Sequence, residues 1–103
     1  MANLIISTQS LAYGQITQYE TTIGLFNVYR RDTCDYYGNP IYIIEPLGYI
    51  RSLPPVKFAR RNKNKYHYTI QSYNIDEDFK NFLNCLNESI EKGNKLYVNT
   101  FKL

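Results

Sequence analysis

The residues best suited to chemistry lie in segment 51–65, where Arg51, Lys57, Arg60, Arg61, Lys63 and Lys65 occur with no acidic residue among them. Cations gathered on a short segment neutralise phosphates, and affinity gained that way falls with salt. Aromatic residues accompany them: Phe58 lies inside the run, and Tyr66, Tyr68 and Tyr73 follow it. An aromatic face stacks on an unpaired base for roughly 1–3 kcal/mol per base. Lys57, Arg60, Arg61, Lys63 and Lys65 are therefore expected to hold a backbone, and Phe58, Tyr66, Tyr68 and Tyr73 to stack. Arg30 and Arg31 extend this basic surface if they lie beside it. A charge run of this kind also serves as a plain solvated hairpin tip over 59–64, with the tyrosines covering the sheet.

The remaining polar constellations point away from catalysis. Asp76, Glu77 and Asp78 are consecutive, so on a helix they face different directions, and acids at a helix N-terminus already complement its dipole. His67 is the only histidine, and no Ser or Cys stands near it in a nucleophile–base motif. Cys34 and Cys85 lack metal-type spacing and read as free thiols in a reducing compartment. Gly14 and Gly24 lack the further glycines of a phosphate-binding fingerprint. No metal, no cofactor and no enzymatic activity is expected.

The elements that must position the basic run are mostly strands. With 103 residues the chain has the size of one domain, 1–103, and 44% hydrophobic residues suffice for one core. Eleven Tyr and no Trp suit half-buried strands and contact surfaces. Segment 4–6 is rich in β-branched residues and reads as a first strand; 21–31 reads as the second, with Phe26 and Val28 on one face and Ile23, Leu25 and Tyr29 on the other. Segment 41–50 reads as a third strand, with Pro46 forcing a bulge or an edge. Segment 65–73 alternates most cleanly, Tyr66, Tyr68, Ile70 and Ser72 pointing one way and His67, Thr69, Gln71 and Tyr73 the other. Phe79, Phe82, Leu83, Leu86 and Ile90 form one stripe of a helix over 75–92, with Asn74 as its cap and Gly93 as its stop. Segment 95–103 reads as a last strand. The expected fold is mainly β, an OB-like barrel of five short strands, with one α-helix in the C-terminal half.

Segment 66–103 resembles the bacterial-type single-stranded DNA-binding protein family. The resemblance rests on Tyr68-Thr69-Ile70, the helix after it, and Lys92-Gly93-Asn94-Lys95-Leu96-Tyr97-Val98, where the family has a Gly-containing turn and a strand. The short members of cyanobacteria and plastids, which lack the acidic-tipped tail, are the nearer comparison. It implies an OB barrel capped by the helix, with the basic segment as a hairpin lining the DNA path. The chain departs from the family in having Asn99-Thr100-Phe101 after Val98 and no Trp to stack on bases.

The leading expectation is non-catalytic binding of single-stranded DNA or RNA through a basic, Tyr-interleaved hairpin. The alternative is a protein-binding module: a subunit of a larger assembly, or a phage or viral protein docking on a host protein. A homo-oligomer is expected if a truncated barrel leaves an edge strand to be covered. No apolar run approaches the roughly 18 residues of a membrane span, and the start lacks a secretory pattern, so a soluble protein of the cytoplasm or an organelle stroma is expected.

Overall fold

A helix with one apolar stripe and strands with one apolar face each need the other, and here they meet. The computed structural model describes residues 3–11, 14–32, 34, 37–47, 53–62 and 65–93. They form β1 (Ile5–Leu11), β2 (Ile16–Thr21), β3 (Gly24–Arg30), β4 (Ile41–Pro46), β5 (Arg60–Asn62), β6 (His67–Gln71) and α1 (Ile75–Glu91). The strands make one antiparallel sheet in the order β1-β2-β3-β4-β6-β5. The fold is therefore mainly β with one helix in the C-terminal half, as expected. Among the described residues the sheet has six strands, four at the expected segments with β2 and β5 in addition, and is open with β1 and β5 as its edges. The expected last strand over 95–103 lies outside the described residues. No described helix is long and apolar enough to cross a membrane.

Of the two additional strands, β2 arises from a turn that carries no glycine or proline at its centre. Thr21 pairs with Gly24, so Thr22 and Ile23 alone link β2 to β3. The Thr21 hydroxyl donates to the Gly24 carbonyl (2.7 Å) and accepts from the Ile23 N–H (3.2 Å), closing the turn with a side chain. Gly24, at φ 133°, supplies the backbone freedom beside it. Pro46 ends β4 without loss, because β6 pairs with that strand only from Ile41 to Ile44, so Pro46 faces no donor-requiring neighbour on that side.

The helix begins and stops where its sequence directs. The Asn74 side chain accepts from the Glu77 N–H (3.4 Å), and Gly93 follows the end at φ 100°. Phe79, Phe82, Leu83 and Leu86 are fully buried against Tyr19, Phe26, Val28, Ile44, Tyr68 and Ile70 of the sheet. Leu53 and Val56, from the segment ahead of β5, complete this core. Phe82 meets Tyr68 and Phe26 edge-on, with ring centroids 4.9 and 6.3 Å apart. Such pairs contribute about 0.5–1.5 kcal/mol beyond area burial.

Tyr19 stacks at 4.1 Å on Phe79 and donates a hydrogen bond to Asp76 Oδ1 (3.1 Å). Burial first, then the Asp76 charge and this hydrogen bond, push its hydroxyl from 10.0 up to about 12. A tyrosine held protonated by the fold stabilises fully below its unfolded pKa, and that contribution is lost as pH rises through the folded value. The urea midpoint is thus expected to fall between pH 10 and pH 12, and Tyr19→Phe to flatten part of that fall. An identical pH profile in the variant would show that Tyr19 ionises as freely in the folded chain as in the unfolded one.

Candidate functional site

Successive strand residues point to opposite faces, so the side chains that face the helix define a second set that faces away from it. Register places Leu11, Ile16, Tyr29, Ile43, Thr69 and Arg60 side by side across all six strands on this helix-free face. The row is apolar at the β1 end, has an aromatic ring near its middle, and is cationic at the β5 end. A parallel row of Gln9, Gln18, Asn27 and Glu45 is polar throughout, with Gln18 Nε2 donating to Asn27 Oδ1 (3.2 Å). Partial burial, and after it the charge of Glu45, push the Tyr29 hydroxyl upward, so the ring stays neutral across the ordinary pH range.

At the cationic end the β5–β6 hairpin borders a shallow basin of about 460 Å³. Arg31, Arg60, Lys65, His67, Asn62 and Thr69 line it, with Ile43 and Arg61. The basic hairpin anticipated from the sequence is therefore real, and Arg31 lies beside it. Lys65 donates its backbone N–H to Asn62 Oδ1 (3.1 Å). Tyr66 follows with φ 55° and about half of its surface exposed. A non-glycine residue in the left-handed region costs about 1–2 kcal/mol. His67 is buried at 8% exposure, and its Nδ1 has no hydrogen-bond partner among the described residues. Burial pushes its pKa below 6.5, Glu45 opposes this, Lys65 adds to it and a hydrogen bond to its own backbone opposes it, so the ring is neutral at pH 7.

The other residues expected at the site separate by position. Tyr68 is fully buried in the core, and its hydroxyl donates to the Pro54 carbonyl (2.6 Å), so it cannot stack on a base as the sequence suggested. Burial pushes that hydroxyl far upward, against the nearby Arg61 charge. Arg61 is tied to the same segment, with Nη1 donating to the Leu53 carbonyl (2.9 Å). Arg30 lies on the strand face opposite to Arg31, in register with Tyr42. Lys57 lines a separate groove with Pro55, Val56, Cys85, Glu88 and Lys92 on the helix side, and Phe58 sits in the same exposed turn. Tyr73 is exposed and hydrogen-bonds Asn39 at the far end of β6. At about 3.3 Å per residue the five residues of β6 between it and Tyr66 span roughly 13 Å. Arg51 and Lys63 lie outside the described residues.

Sequence reasoning missed Ile16, Ile43 and Asn62 as parts of one surface, and it gave Tyr29, His67 and Thr69 no binding role. Their alternation was visible in the chain; which face the helix would take was not. Cys34 is exposed and Cys85 half-buried, both free. Among the described residues no cluster of His, Cys, Asp and Glu could hold a metal ion.

If Tyr68 is a structural anchor, Tyr68→Phe leaves the Pro54 carbonyl without its donor and is expected to lower unfolding free energy by about 1–3 kcal/mol in urea titrations. Tyr29→Phe, on the open face, is expected to change it by under about 0.5 kcal/mol. Equal effects would contradict the division between the two faces. Comparison with protein-family models, with curated proteins and with solved structures returned no match to this chain.

Proposed function

We propose that the chain is a non-catalytic module that binds single-stranded nucleic acid across the helix-free face of its sheet. The observation that carries this reading is the row running from Leu11 and Ile16 through Tyr29 and Ile43 to Thr69 and Arg60, with Lys65 and Arg31 at its cationic end. Phosphates are held at the rim by Arg60, Lys65 and Arg31, and bases lie over Tyr29 with Ile16 and Ile43 as apolar floor. Tyr66, half-exposed at the hairpin, offers a second stacking surface. A duplex keeps its bases stacked on one another, which is why the ligand is single-stranded.

Fluorescence anisotropy with a labelled oligo-dT tests this. Three phosphate contacts on a single strand give a slope of about −2 in log affinity against log salt. Arg60→Ala with Lys65→Ala is expected to reduce that slope by about half or more. Tyr29→Ala is expected to weaken binding by about 1–3 kcal/mol, roughly 5- to 150-fold. Absence of binding at low salt would overturn the reading.

A second reading, a protein-binding module, is favoured by the edge strand β1. Its seven residues contain no charge, no proline and no glycine, whereas the opposite edge, β5, is three residues long and carries Arg60 and Arg61. Short, charged edges resist strand addition and long neutral ones invite it. A strand from a protein partner or a second copy would pair there, and an OB-like closure would need the same edge covered. A single lysine at the strand centre, Thr8→Lys, is expected to abolish any self-association seen by light scattering while leaving oligo-dT affinity unchanged or raised. Dimerisation unaffected by Thr8→Lys would place the contact elsewhere.

A further inference from the structure

We infer that the basin beside the β5–β6 hairpin is a subsite for the terminal phosphate monoester of a nucleotide, received by His67 together with Arg60, Lys65 and Arg31. The inference rests on the nucleic-acid reading above and specifies which part of the ligand this end of the sheet takes: a strand end.

Nearly all buried polar side-chain atoms in folded proteins have a hydrogen-bond partner, and one that lacks it needs a reason. Here His67 is 8% exposed, lines the basin, and has an Nδ1 with no partner among the described residues. The surroundings determine what kind of ligand could satisfy it. Arg31, Arg60 and Lys65 line the same basin, so a cation is repelled and an anion attracted. The neutral groups present are also donors. Asn62 already uses Oδ1 to accept from the Lys65 N–H, which leaves its NH₂ to donate, and Thr69 contributes a hydroxyl. In the tautomer with its proton on Nδ1, His67 donates to an oxyanion as well.

The charge count selects the monoester. A phosphodiester inside a strand carries one negative charge and offers two terminal oxygens. A terminal phosphate carries a charge of about −1.5 to −2 at pH 7 and presents three strong acceptor oxygens. The positive balance of the basin, with Arg31, Arg60, Arg61 and Lys65 on its lining against Glu45 beside His67, and the several neutral donors suit the second. Binding also couples to protonation. The charged groups that act on His67 are Glu45 from β4 and Lys65 from the hairpin loop, and Arg31, Arg60 and Arg61 line the same basin. In the free protein burial, helped by Lys65 and opposed by Glu45, keeps the ring neutral at pH 7; a bound dianion favours the imidazolium and moves its titration upward. Affinity for the monoester is therefore expected to rise as pH falls toward about 6, where the phosphate itself begins to protonate.

His67 is the only histidine in the chain, so its ring resonances are assigned without ambiguity. The experiment follows those resonances by NMR through a pH titration with and without inorganic phosphate. It then compares oligo-dT carrying a 5′-phosphate, a 3′-phosphate or hydroxyl ends by anisotropy. Inorganic phosphate is expected to shift the His67 titration upward, and one phosphorylated oligonucleotide to bind about ten-fold tighter than the hydroxyl form. His67→Gln is expected to remove most of that preference. Equal affinity of all three oligonucleotides would overturn the subsite and leave the strand-binding reading standing. A His67 titration unmoved by phosphate would overturn it too, even if the variants fail to fold. A shift with phosphate and no binding of any oligonucleotide would support a phosphate-monoester site and discard the strand-binding reading.

Discussion

One helix can cover only one face of this sheet, and most of the architecture follows from that limit. Six strands at about 4.8 Å spacing span roughly 24 Å, while a helix with its side chains is about 10–12 Å wide. The stripe of Phe79, Phe82, Leu83 and Leu86 therefore docks on the inner strands, where Phe26, Ile44 and Tyr68 are fully buried. Leu53 and Val56 extend the cover beyond it. The helix does not cover the opposite face, most of whose side chains are only half-buried and had to be compatible with water. Gln9, Gln18, Asn27 and Glu45 meet that need; Ile16, Tyr29 and Ile43, only half-buried, do not. Apolar and aromatic side chains on a face with no internal partner are what make it a candidate for an external one.

The adjacent arginines of β5 show how strand geometry divides a basic run. Arg60 and Arg61 are identical in chemistry and consecutive in sequence, yet alternation sends them to opposite faces. Arg60 stands in register with Thr69 on the open face, while Arg61 is in register with buried Tyr68 and ties down the Leu53 carbonyl. Tyr68 and Arg61 together hold segment 53–56 against the core through two carbonyls. Half of the charge that looks available in the chain is therefore engaged in structure at this point. What remains for a ligand is concentrated at one end of the open face, and it is sparse enough to agree with a net charge of only +3.

Much of this was legible in the chain. The helix could be placed from its stripe, the capping Asn74 and the stopping Gly93, because each of those signals is local. The clean alternation from Tyr66 to Tyr73 correctly grouped Tyr68 with Ile70 and His67 with Thr69. It could not say which group the helix would cover, and so Tyr68 was read as a stacking residue when it is a core one. The β2–β3 turn was missed because Thr22 and Ile23 carry no turn signature; the Thr21 side chain does the work that Asn-Gly does elsewhere. Tyr29 gained significance only from register, which brings Ile16 and Ile43 beside it from strands distant in the chain.

Whether a ligand lies on the helix-free face is read from an amide chemical-shift map of the labelled chain titrated with oligo-dT. Perturbations are expected to gather on Ile16, Tyr29, Ile43, Arg60, Lys65 and Thr69, with the solvent-facing positions of α1 unmoved. Perturbations confined to α1 and the groove beside Lys57, or none at saturating oligonucleotide, would contradict that placement.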